Sequence, residues 1–224
     1  MERTKYLVEE TPMPQGEQYA SLVARYRAHE AFARELGIKI ASYLAVGLGK
    51  DRDFFKPWFE RAPLSTFRTI HYPTRVGSNV RYDQLSEAEI KLTTPPHVDS
   101  GFITLLSTFS FPGLQVLIDG EYRSVKPLKN HIVVNLGATF ERITNFTLKA
   151  TWHQVMDIGV ERFSCPFFLD PCSSAIIPSN ILNENEDGVK PPIEFGKWLA
   201  KTMRRKYGEW KNAFPGLSDD SEGE

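Results

Sequence analysis

From about residue 66 to residue 168 the chain cannot be read as helices, and that limits its fold. Short runs rich in β-branched and aromatic residues alternate there with turn signals. Candidate strands are Phe67–Tyr72, Asn79–Tyr82, Ile103–Phe109, Leu114–Ile118, Tyr122–Val125, His131–Asn135, Ala150–Met156 and Glu161–Phe168. Asp119-Gly120 predicts a two-residue hairpin between two of them. Asp157-Ile158-Gly159 predicts a second tight turn. Many short strands at close spacing give a barrel or a double sheet.

Helical patterning flanks this β region. Tyr19, Leu22, Val23 and Tyr26, then Leu36, Ile40, Tyr43 and Leu44, predict one apolar face of a helix over residues 16–46. Gly47 and Gly49 are its stop signals. Asp51 is placed to cap a short second helix carrying Phe54, Phe55 and Phe59. Pro191-Pro192 opens a last helix with Ile193, Trp198, Leu199 and Met203 inward. The expectation is one domain over residues 1–217, mainly β with flanking helices. It has a helical part (16–60), a β core (66–180) and a C-terminal helix (191–211), followed by an acidic tail (218–224).

Charge and cysteine usage exclude several partners. The 27 basic and 28 acidic residues leave a net charge of −1. That gives no footprint for nucleic acid and no polybasic membrane patch. The opening MERTKYLVEETP has no apolar signal region, and no stretch approaches the roughly 18 apolar residues of a membrane span. Two cysteines, Cys165 and Cys172, fit a reducing compartment, so a cytoplasmic location is expected.

Residues 97–101 read HVDSG. If this stretch is a strand, His97 and Asp99 aim into the same space. An isolated pair of this kind is ordinarily a hydrogen bond at a strand end. A metal needs a third ligand, and His153 in ATWHQV, inside an apolar strand, can supply it. Two histidines and one carboxylate on one face of a metal leave the opposite positions open, as in non-heme Fe(II) oxygen chemistry. Zinc takes the same donors plus water, and ligand count does not separate the two. Past His153, Arg162 and Ser164 share a strand face one hairpin away. A guanidinium fork with a hydroxyl is a receptor for a carboxylate. Phe102, Phe167 and Phe168 are placed to help exclude water from this site.

The runs FRTIHYP, HVDSGFITLL, PGLQVLIDGEY, VVNLG, KATWHQV and ERFSCPFFLDP fall in order. Together they resemble the iron(II)- and 2-oxoglutarate-dependent oxygenases of the isopenicillin N synthase-like superfamily, over roughly residues 20 to 182. The resemblance implies a double-stranded β-helix, or jelly roll. It implies His97, Asp99 and His153 as Fe(II) ligands, with 2-oxoglutarate chelating the iron and its far carboxylate on Arg162 and Ser164. Tyr72 matches a position that contacts the co-substrate. Dioxygen is the second co-substrate, with ascorbate as a supporting reductant. The implied reaction is oxidation, most often hydroxylation, of a small organic molecule, with release of succinate and carbon dioxide.

This sequence departs from the family pattern in three places. The N-terminal region usual in the family is largely missing from this sequence. Ala138 stands where aspartate is frequent, and Gln154 follows His153 where arginine is common. Two other readings remain open at the level of sequence. One is a superfamily oxidase whose Arg162–Ser164 pair holds a substrate carboxylate instead of 2-oxoglutarate. The other is a non-catalytic binding domain.

Overall fold

The structure is a computed structural model that describes residues 12–61, 63–74, 91–183 and 190–206. The expected strand Asn79–Tyr82, the last turn of the expected C-terminal helix and the acidic tail lie outside the described residues.

Helix α1 (Ala20–Gly47) follows a short 3-10 turn. Eleven strands follow among the described residues: β1 (Thr66–Phe67), β2 (Ile70–Tyr72), β3 (Leu92–His97), β4 (Ile103–Ser107), β5 (Leu114–Ile118), β6 (Glu121–Ser124), β7 (Val133–Leu136), β8 (His153–Met156), β9 (Arg162–Leu169), β10 (Ile176–Ile177) and β11 (Ile193–Glu194). Helix α2 (Ala138–Ile143) interrupts them between β7 and β8, and α3 (Phe195–Lys206) follows β11. A five-stranded sheet runs β1-β9-β4-β7, with β2 also paired to β9. A four-stranded sheet runs β3-β8-β5-β6. All pairings are antiparallel. Two facing antiparallel sheets of this kind are a jelly roll.

The large apolar core is outside the roll. Along β4 and β9, Leu105 pairs with Phe167 and Ile103 with Leu169, and all four side chains are buried against the helices. Their neighbours Thr104 and Phe168 alternate to the opposite face, which lines the space between the sheets. The outer layer is completed by Phe55, Phe59, Phe102 and Phe140, with ring centroids 5.0–6.1 Å apart where they meet. Phe102 and Phe167 therefore do not shield the site as expected. Alternation along β9 turns Phe167 outward, Phe102 lies just before β4 and packs on Phe55, Phe59 and Phe140, and only Phe168 of the three faces the interior.

Helix α1 approaches this layer through small residues. Ala33, Gly37, Ala41 and Ala45 are its buried positions, one every four residues. A Cβ on Gly37 would stand 3.2 Å from Leu169 and 3.5 Å from Leu105. The sheet's large side chains already fill that space, so the helix backbone comes close. Leu36, Ile40 and Leu44 flank the stripe and are partly buried. Tyr19, Leu22 and Tyr43, expected inward, are exposed. The expected second helix is a series of turns ending in the 3-10 segment Lys56–Trp58. Asp51 accepts the Asp53 N–H at 2.8 Å at its start.

The Asp119-Gly120 hairpin joins β5 and β6, with both residues at positive φ (53° and 82°) and Ile118 paired to Glu121. The turn at Asp157–Gly159 does something else. Gly159 N–H donates to Asp157 Oδ1 at 3.1 Å, but β8 and β9 belong to different sheets. The connection is an arch across the roll, not a hairpin.

Candidate metal and anion site

Strands β3 and β8 pair so that His97 lies directly opposite His153. Their ring centroids are 4.2 Å apart. Strand β3 reaches this register through two irregularities, one between Leu92 and Thr94 and one across Pro95-Pro96, each absorbing an extra residue. It ends at His97, so Asp99 does not share a strand face with it as expected. The carboxylate comes from the loop beyond. Asp99 Oδ1 stands 3.7 Å from His97 Nε2 and 3.8 Å from His153 Nε2. These three ligand atoms lie within 4.8 Å of one another, and they are the group among the described residues able to hold a metal.

The remaining polar atoms of the three side chains are committed elsewhere. His97 Nδ1–H donates to the Pro95 carbonyl at 2.9 Å, and His153 Nδ1–H to the Thr151 carbonyl at 2.8 Å. That fixes the tautomer and leaves both Nε2 lone pairs facing inward. Asp99 Oδ2 accepts from Thr104 Oγ1 at 2.6 Å and from Asn135 Nδ2 at 2.9 Å. Oδ1 alone remains for a metal. Burial pushes the His97 imidazole below its ordinary value, with the Pro95 carbonyl opposing and His153 reinforcing. A neutral imidazole is the ligating form. Sequence reasoning missed Thr104 and Asn135. Each is a polar residue inside an apolar strand (FITLL, VVNLG), and such a residue needs a buried partner.

The Asp99 loop is held by the unexpected helix α2. The Gly137 N–H donates to Phe102 O at 3.0 Å, Ala138 to Asp99 O at 2.8 Å and Thr139 to Gly101 O at 3.1 Å. Thr139 Oγ1 adds a bond to Ser100 O at 2.9 Å. Position 138 acts through its backbone, so alanine serves there. Gly137 has ordinary backbone angles (φ −101°, ψ 177°) but a Cβ would lie 2.1 Å from Gly101 O. Glycine is required by close approach. Gln154 turns away from the metal side and donates to Gln115 Oε1 at 2.7 Å, in a buried pair across β5 and β8.

Across the interior, β9 presents Arg162 and Ser164 on its inward face, with Phe163 outward between them. Tyr72 pairs with Arg162 in the β2–β9 register, and its ring lies 3.6 Å from the guanidinium carbon. Tyr72 Oη and Ser164 Oγ are 3.3 Å apart. Arg162 is 4% exposed, and no carboxylate pairs with it among the described residues. Its Nη2 makes a long bond, 3.4 Å, to Met156 O. Burial pushes the guanidinium down from its ordinary value, while Tyr72 and Asp157 act the other way. A buried cation without a carboxylate partner is a receptor for an anion. Gly113, at φ 122°, makes room: a Cβ there would stand 3.2 Å from Arg162 Nη2.

The triad and the guanidinium share one cavity of about 200 Å³ between the sheets. Leu106, Leu114, Val116, Val133 and Val155 supply its apolar wall. The model of the 2OG-Fe(II) oxygenase superfamily matches residues 66–171, which contain both groups. Those residues form a 2OG-Fe(II) oxygenase domain. It is 32% identical over 196 residues to gibberellin 20 oxidase 3 of Arabidopsis thaliana, spanning 87% of this chain and 45% of that protein. It is 33% identical over 175 residues to a 2-oxoglutarate-Fe(II) type oxidoreductase of Aspergillus fumigatus, spanning 76% and 49%. The chain thus spans about half the length of the curated relatives it matches. A full-length Neurospora crassa protein crystallised in complex with alpha-KG superposes with a TM-score of 0.78 over 92% of this chain and 64% of that one. Its 24% identity speaks to the jelly-roll fold alone. The superfamily's name gives its cofactors as iron(II) and 2-oxoglutarate. Two Nε2 donors and one carboxylate oxygen suit iron(II), and a buried arginine without a carboxylate partner among the described residues suits a dicarboxylate.

Proposed function

We propose that this chain is an Fe(II)- and 2-oxoglutarate-dependent oxygenase that hydroxylates a small organic substrate, releasing succinate and carbon dioxide. His97, Asp99 and His153 are its metal ligands, and Arg162, Ser164 and Tyr72 its co-substrate anchor. The observation that carries this reading is the pairing of two incomplete sites in one cavity. Three side chains have every bond made except those of the ligand atoms, and they face a buried guanidinium that lacks a carboxylate among the described residues.

Bound iron(II) would supply the activation of dioxygen that couples 2-oxoglutarate decarboxylation to substrate oxidation. The protein's own part is ligation, orientation and dryness. Pro95 and Thr151 carbonyls keep each Nδ1 proton in place, so that Nε2 ligates. Arg162 and Ser164 hold the distal carboxylate and thereby orient the keto-acid end. The apolar wall excludes water from the reacting centre.

We further propose residues 1–217 as a single oxygenase unit. The core that joins α1, β4, β9 and α3 supports this. A cytoplasmic location is supported by two buried free cysteines. No helix among the described residues is long and apolar enough to cross a membrane.

The test is anaerobic addition of Fe(II), then 2-oxoglutarate, while watching for the visible metal-to-ligand charge-transfer band. A band is expected, and His153→Ala should remove it. A folded, iron-loaded protein without a band would refute the co-substrate assignment.

A further inference from the structure

A second cavity, of about 350 Å³, adjoins the first. Arg68, His97, Asp99 and Phe168 line both, so the metal-binding wall is shared by two spaces. The first holds the Arg162 anchor. The second is floored by α3, whose Leu199, Met203 and Lys206 point to it at helical spacing. Leu64 and Phe168 complete an apolar wall.

Two cations border this second space. The Arg68 guanidinium lies over the Phe168 ring at 5.4 Å, and among the described residues no carboxylate pairs with it. Lys206 Nζ donates to Ser100 Oγ at 3.0 Å and Val98 O at 3.4 Å, which among the described residues leaves one of its three N–H groups. The two carboxyl groups on the same wall have partners of their own. Asp99 belongs to the metal triad, and Asp170 accepts the Phe102 N–H at 3.2 Å.

We propose that this second cavity takes the prime substrate, and that Arg68 and Lys206 select an organic carboxylate. Its apolar body lies along Phe168, Leu199 and Met203, which brings it to the shared metal wall. The proposal rests on the oxygenase reading above for the word substrate, though the binding itself does not depend on turnover.

The test uses the full chain loaded with Mn(II) and saturated with 2-oxoglutarate, so that the Arg162 anchor is filled. The probes are 4-phenylbutanoate and its neutral counterpart, 4-phenylbutanamide. Paramagnetic broadening of probe protons reports proximity to the metal, and titration gives the affinity. The carboxylate should be broadened and should bind about tenfold or more tighter than the amide, as one charge-assisted contact allows. Arg68→Gln and Lys206→Gln should each weaken the carboxylate several-fold and leave the amide unchanged. Lys206→Arg should restore much of the loss. A carboxylate that binds no tighter than the amide, or that displaces 2-oxoglutarate, would overturn the proposal. If instead 2-oxoglutarate is not broadened by Mn(II) while 4-phenylbutanoate is, the co-substrate assignment fails and the second cavity stands.

Discussion

At the scale of single residues, the site depends on groups that never reach the metal. Thr104 and Asn135 both donate to Asp99 Oδ2, which leaves Oδ1 as the ligand atom. Thr104→Val with Asn135→Leu should lower Fe(II) affinity about 10- to 100-fold, the usual cost of losing such support. A metal titration unchanged by the double substitution would show that the carboxylate needs no holding. Asp170 gives a second residue-scale expectation. Burial raises its carboxyl from 3.8 to about 7, with the Phe102 N–H opposing and Asp99 adding. The folded state therefore binds the proton more tightly than the unfolded one. Its contribution is fully present below the unfolded value and is lost as pH rises through about 7. The metal-free protein should lose thermal stability from about pH 4 to about pH 8, and Asp170→Asn should flatten that slope. Identical slopes would remove Asp170 as its source. The ligands were legible because imidazole and carboxylate are scarce and specific. Their supports were not, since threonine and asparagine in a strand advertise only a partner, not which one.

At the scale of elements, α2 matters most and was the least visible. Its six residues, ATFERI, carry no long apolar period, and the helix is fixed by contacts remote in sequence. Its N-terminal amides hold the Asp99 loop, and Gly137 permits that approach. Gly137→Ala should push the two segments apart, weaken metal binding at least tenfold and cost about 1–3 kcal/mol of stability. Gly47→Ala is the control, since a Cβ there meets nothing within 4 Å. It should be neutral or slightly stabilising in denaturant unfolding. Equal behaviour of the two variants would refute the close-approach argument. The strands were legible from their alternation, most cleanly Leu114–Ile118 beside a turn of known type. Strand β3 was not, because two adjacent prolines mask it, and its partner β8 tolerates them only by shifting register.

At the scale of the whole molecule, the two sheets meet through the site. Metal and dicarboxylate together would tie β3 and β8 to β9 across the cavity between the sheets. Ligands that bind only the folded state stabilise it by mass action, about 2.7 kcal/mol at a hundredfold excess over Kd. Fe(II) or Co(II) should raise the melting temperature, and 2-oxoglutarate should add to it only when metal is present. A full shift from 2-oxoglutarate alone would mean that Arg162 binds it without the triad. The fold class was readable from strand texture and flanking helices. The position of the core was not, because alternation names two faces without saying which one the helices cover.

The arch at Asp157–Gly159 has a consequence for selectivity. The chain carries a metal ligand up one sheet, bends once and returns along the other with the guanidinium. The gap between them is thus gauged by a short covalent bend, like the jaw of a calliper set by its hinge. A residue inserted in that bend would change which length of diacid spans the jaws before it loosened either sheet.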